Sequence, residues 1–93
     1  MILSVEALAD LQDIEDFIAG ESIEAAQRMV DVIFEQLRVL ESFPEAGRAR
    51  PDVHPDIRSW PTQGYVVLYR IRCGCHRGCR AKFEGVCAEL EES

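Results

Sequence analysis

The residue types best suited to chemistry crowd into one short tract. Cys73-x-Cys75-His76-x-x-Cys79, with Cys87 beyond it, carries the thiols and the imidazole that zinc prefers. The spacing does not fit. Structural zinc sites present Cys-x-x-Cys knuckles, in which backbone amides bond the thiolates; here the pair is Cys-x-Cys and a second ligand pair is missing. Free thiols in a loose tail are the simpler reading. Cys73, Cys75, His76 and Cys79 are the candidate ligands should a metal bind, and no cofactor is expected. Arginines around the tract favour the thiolate form, so these cysteines should oxidise easily. Elsewhere no Ser-His-Asp or Cys-His order stands out, and no glycine-rich phosphate loop is present. His54 sits between prolines and reads as solvent-exposed. Trp60 and Tyr69 read as core, with base stacking as the alternative. The acids Asp10, Asp13, Glu15 and Asp16 read as the solvated face of a helix.

These residues must be placed by a small scaffold. The 93 residues carry a formal charge of −7. That suffices for one domain with a modest core, only marginally stable alone. Residues 1–50 hold the whole imbalance and residues 51–93 are neutral overall. Within the second half, Arg58, Arg70, Arg72, Arg77, Arg80 and Lys82 form a stretch with no acid inside it. An acidic chain is a poor generic binder of nucleic acid, because phosphate repels it. A local basic face can still meet an acidic partner; arginines guarding a solvated strand are the plainer reading. No apolar run reaches the length of a membrane span. Met1-Ile2-Leu3-Ser4 lacks a basic n-region and a long h-region, so no signal peptide is expected and the cytoplasm is the expected location.

Ser4 is a plausible N-cap. Leu8, Leu11, Ile14 and Ile18 recur behind it at helical spacing, with Val5 and Phe17 widening the stripe. Gly20 ends that helix and Ser22 caps the next. Ile23, Ala26, Met29 or Val30, Ile33, Leu37 and Leu40 keep the period until Phe43-Pro44 stops it. Helices are predicted near 5–19 and 22–41, forming an antiparallel hairpin. Three prolines and a glycine predict an irregular loop over 44–56. Ile57 to Trp60 reads as a short strand and Pro61 to Gly64 as a turn. Tyr65 to Ile71 is the best strand, apolar on both faces, so it belongs mid-sheet under helices. Ile2-Leu3 reads as an edge strand. The predicted core is Leu8, Leu11, Ile14, Ile18, Val30, Ile33, Leu37, Val67 and Tyr69.

The order of these pieces resembles a known family. It runs Glu6-Ala7-Leu8-Ala9-Asp10-Leu11-x-x-Ile14, then Ala25-Ala26, Leu37-x-x-Leu40, Phe43-Pro44-Glu45-x-Gly47-Arg48, Arg58-Ser59-Trp60-Pro61 and Gly64 to Arg70. The pattern is similar to the RelE/ParE superfamily of type II toxin–antitoxin toxins, in its ParE branch, over residues 1–71. The resemblance implies an α+β fold, a helical hairpin packed on a small twisted antiparallel sheet. It implies a ParD-like antitoxin as partner and DNA gyrase as target, with no enzymatic activity, no direct nucleic-acid contact and no membrane. Arg48, Arg58, Trp60, Tyr69 and Arg70 are then the candidate partner-binding residues. The RelE branch cuts messenger RNA on the ribosome. On that alternative, Arg48, Arg58, Tyr69 and Arg70 are the candidate catalytic residues. Ile57, Ser59 and Val66 stand where that branch carries cations, so its clamp on the scissile phosphate is missing at those positions. A zinc-binding interaction module built on the cysteine tract is a third alternative.

The resemblance ends at Ile71. The family continues into an apolar strand and a short motif resembling Val-Arg-His-x-Arg-Glu-Phe, whereas residues 72–93 are rich in cysteine, glycine and arginine. With arginines encoded as CGN, moving the reading frame one base forward from Arg72 permits a small-apolar strand and then that motif, with Asn or Ser in place of the histidine. A frameshifted gene accounts for the foreign composition and its starting point; a divergent tail is the alternative. Gly74 and Gly78 weaken a strand. The tail is therefore expected to be loose or disordered and the activity weak or absent, with an altered remnant of a toxin as one reading and a working toxin as the other.

Overall fold

The structure is a computed structural model of the chain, and residues 2–74 and 78–88 are described. Strand β1 (Ile2–Leu3) leads into helix α1 (Val5–Ala19) and helix α2 (Ile23–Ser42). A single 3-10 turn (Pro44–Ala46) and strand β2 (Arg48–Ala49) follow, then β3 (Ile57–Thr62), β4 (Tyr65–Gly74) and β5 (Gly78–Ala88). The sheet order is β1-β5-β4-β3-β2.

The helices start where hydroxyls can cap them. Ser4 Oγ accepts from the Ala7 amide at 3.0 Å, and Ser22 Oγ accepts from the Ala25 amide at 3.2 Å. Leu11 and Ile14 are buried as expected, and the α1 stripe departs from the expected one in its first turn, where Leu8, expected in the core, is 51 % exposed. Ala7 takes the buried first-turn position, and Val5, Leu8 and Phe17 stand exposed. Ile18 and Val30, also expected in the core, are half-buried. Ile33, Leu37, Val67 and Tyr69 are buried as expected.

The loop expected over 44–56 is partly regular. Proline suits the first position of the 3-10 turn, where its missing amide costs nothing. Arg48 and Ala49 escape the flanking prolines and pair with Ser59 and Arg58 at the sheet edge. The β3–β4 hairpin closes more tightly than expected, on Gln63 and Gly64 alone. Their φ angles of 51° and 83° are those of a two-residue turn matching the twist of its strands. The sheet is mixed and not wholly antiparallel, because β1 runs parallel to β5.

The largest departure is the tail. Residues 78–88 form β5, antiparallel to β4 from Tyr65↔Ala88 to Gly74↔Gly78. Arg80 and Lys82 take one face of the strand; Ala81 and Phe83 take the other and are buried. The register shifts between Leu68 and Tyr69, where Glu84 bulges out of the ladder. That extra residue returns Val86 to the buried face opposite Val67. The expected loose tail is thus, over 78–88, a strand between β1 and β4. Glycine weakened it less than burial of Ala81, Phe83 and Val86 secures it.

The start of α1 holds the bulge. Ser4 donates through its amide to Phe83 O at 2.9 Å and through Oγ to Glu84 O at 2.9 Å. Asp10 Oδ2 accepts from the Val86 amide at 3.0 Å. One of the acids assigned to a solvated face therefore satisfies a backbone donor that the bulge would otherwise orphan.

Candidate functional site

The β3–β4 register decides which candidate residues can act together. Arg58 pairs with Tyr69 and Trp60 with Val67, on the face toward the helices. Arg70, one residue along, points to the other face, and Arg48, paired with Ser59, lies on that same outer side. The four candidate catalytic residues are thus divided between two faces of the sheet.

Each inner residue already has a structural task. Tyr69 is 0 % exposed; its hydroxyl donates to Pro44 O at 2.6 Å and accepts from the Gly47 amide at 2.8 Å. Arg58 Nη1 donates to Gly47 O at 2.8 Å and reaches Glu45 O at 3.3 Å. Together they tie the 44–47 turn to the sheet. Trp60 Nε1 donates to Gln36 Oε1 at 2.9 Å, which ties β3 to α2. Burial raises the Tyr69 hydroxyl above its ordinary value; the Gly47 amide and the Arg58 charge oppose this without cancelling it. A raised folded-state value makes a contribution that is complete below the unfolded value, about pH 10, and lost as pH rises through the folded one. Stability should therefore fall more steeply above pH 10 in this protein than in Tyr69→Phe. Denaturant unfolding between pH 8 and pH 11 measures it, and parallel profiles would remove the assignment.

The outer face is basic. Arg70 lies across from Lys82 and Arg72 from Arg80. Like charges directly opposite are unfavourable, and the bulge supplies one counter-ion. Glu84 Oε2 is 3.0 Å from Arg70 Nε and 3.8 Å from Lys82 Nζ. The Arg70 contact is an ion pair without hydrogen-bond alignment, since the buried Nε makes no hydrogen bond. No carboxylate among the described residues pairs with Arg72 or Arg80. Sequence reasoning found the basic stretch but missed Glu84, because only the bulge swings it back toward Arg70.

Cys73 and Cys79, opposite each other in the β4–β5 ladder, are joined by a disulfide. This removes two thiolates from the candidate zinc set; Cys75 and His76 lie outside the described residues. No group of three metal-ligating side chains occurs among the described residues. Cys79 and Ile71 also line one side of an open groove of about 630 Å³ whose other side is the 42–46 turn. Phe43 at that groove is 67 % exposed. His54 lies exposed on its loop, its Nδ1 accepting from the Asp56 amide at 3.2 Å. No helix among the described residues is long and apolar enough to cross a membrane.

Comparison with known proteins agrees with this architecture. The family model described as "ParE toxin of type II toxin-antitoxin system, parDE" matches residues 1–77. A solved structure, "Chromosomal ParDE TA system from P. aeruginosa", superposes with a TM-score of 0.75 at 23 % identity, over 97 % of each chain. The shared fold therefore continues through β5, beyond the reach of the family model. No curated protein matches the chain. With a helical hairpin on one side of a five-stranded sheet and a family match over most of its length, this chain belongs to the ParE toxins of type II toxin–antitoxin systems.

Proposed function

We infer that this toxin acts by docking on a protein target, DNA gyrase, is not itself an enzyme, and is neutralised in the cytoplasm by a ParD-like antitoxin. The observation that carries this reading is the division of Arg48, Arg58, Tyr69 and Arg70 between two faces. A ribonuclease needs a general base and a cationic clamp converging on one phosphate. Here Tyr69 is buried in a structural hydrogen bond, Arg58 holds two carbonyls and Arg70 is paired with Glu84. Exposed apolar side chains support a protein partner. Val5, Leu8 and Phe17 stand out from α1, and Phe43 stands at the groove. A small core gains stability from a partner that covers such residues.

The remnant reading rested on a loose tail. With β5 paired and its apolar residues buried, an active toxin is the better reading. Induced expression in a bacterium should arrest growth, and co-expression of the cognate antitoxin should relieve the arrest. Purified protein should inhibit supercoiling by gyrase and leave ribosome-bound messenger RNA intact. Cleaved messenger RNA with unimpaired gyrase would favour the RelE-type alternative instead.

A further inference from the structure

We propose that Cys73 and Cys79 form a thiol–disulfide exchange site, whose reactants are low-molecular-weight thiols and disulfides and whose state locks or frees the pairing of residues 78–80 with β4. The pair is well placed for this. Both cysteines are exposed, and they face each other across the ladder six residues apart in sequence. Their exposure lets a small thiolate reach the bond, which is what exchange first requires, while Arg72 and Arg80 project from the opposite face of the sheet.

What makes the bond consequential is the weakness of the strand pairs on either side of it among the described residues. The next pair outward is Gly74↔Gly78, with Gly78 at a φ of 72°, and it brings no side chains into contact. The next pair inward is Arg72↔Arg80, two cations directly opposed without a carboxylate partner among the described residues. Farther inward the pairing recovers, because Glu84 lies between Arg70 and Lys82 as a shared counter-ion, and Ala81 and Phe83 are buried. The boundary of the switchable segment therefore falls between Arg80 and Ala81. The disulfide also reaches the helix-side groove, where Cys79 lies across from Phe43 and Pro44. Freeing residues 78–80 removes that wall.

The chemistry balances as two exchanges. A thiolate attacks one sulfur of the Cys73–Cys79 bond, forming a mixed disulfide and releasing the other cysteine as a thiolate. A second thiolate attacks the mixed disulfide, releasing the protein sulfur and a small-molecule disulfide. Two small thiols are oxidised, two electrons pass to the protein, and both cysteines end as thiols after taking up two protons. The reverse closes the bond at the expense of a small-molecule disulfide.

The full chain is treated with glutathione disulfide or with dithiothreitol, and amide hydrogen exchange is followed by mass spectrometry. Peptide mapping after alkylation identifies the cysteines in the bond. The expected result is a Cys73–Cys79 bond in the oxidised protein. On reduction, amides of residues 78–80 should exchange roughly tenfold faster or more, while those of α1, α2 and residues 82–86 stay unchanged. Reoxidation should restore the slow rate. Because the comparison uses one protein in two states, it does not depend on a variant folding; Cys73→Ser with Cys79→Ser should match the reduced protein where it folds. Equal exchange in both states, or a bond between other cysteines, overturns the proposal.

Discussion

Phe83→Ala should destabilise the protein by about 3–5 kcal/mol, the range for truncating a fully buried phenylalanine. Phe83 is 0 % exposed, and its ring centroid lies 5.9 Å from that of Tyr69 at a 46° tilt. Its backbone is fixed on both sides, by Tyr69 on β4 and Leu3 on β1. The cavity left behind is therefore unable to collapse by moving the strand. Domains of this size have only about 5–15 kcal/mol in hand, so the variant should be partly unfolded at growth temperature. A chain ended at Ile71 should fare worse, losing Ala81 and Val86 as well and leaving β4 as a bare edge. Arg80→Ala, on an exposed position of the same strand, should change stability by no more than about 0.5 kcal/mol. Denaturant unfolding distinguishes these cases. If Phe83→Ala falls within about 1 kcal/mol of the unchanged protein, β5 is not part of the core and the loose-tail reading returns.

That strand also marks where sequence reasoning stops. Both helices, their serine caps and the β3–β4 hairpin are local features, written as spacing, cap residues and β-branched runs. They were legible within about three residues at each end. The pairing of β5 is not local. Its apolar positions alternate only as far as Phe83, then skip a residue at the Glu84 bulge, so neither period 2 nor period 3.6 runs through the segment. A bulge is stabilised from outside the strand, here by Ser4 and Asp10, some eighty residues earlier. Leu8 failed for a related reason. Periodicity placed Leu11 and Ile14 correctly, but in the first turn it does not choose between neighbours, and only the packed structure shows Ala7 buried and Leu8 outside. For the candidate site, residue types were legible but faces were not. Arg58 and Arg70 look equivalent in sequence, yet the ladder sends one to the turn carbonyls and the other to Glu84.

The 44–47 turn shows how tightly one of those faces is committed. At Gly47→Ala the expected loss is about 2–4 kcal/mol, combining overpacking with a lost buried hydrogen bond. Backbone conformation is not the cause, since Gly47 has φ −72° and ψ 158°, open to any residue. Space is. A Cβ at Gly47 would collide with the Tyr69 hydroxyl and lie 2.7 Å from Cε1 and 2.8 Å from Cζ. Tyr69 is fully buried between strands, so the turn must yield instead. Yielding breaks the Gly47 amide bond to Tyr69 and strains the Arg58 bond to Gly47 O. Tyr69→Phe alone should cost about 1–3 kcal/mol, because Pro44 O and the Gly47 amide lose their partner. The two changes should not add. Without the hydroxyl, the worst collision and the hydrogen bond at stake are both gone, although the ring carbons still crowd the new methyl. The double variant should be more stable than the sum of the singles implies, by about 1–2 kcal/mol. Unfolding free energies of the four proteins close the cycle. Additivity within about 0.5 kcal/mol would mean that the turn does not rest on Tyr69, and that the buried hydroxyl is available for another role.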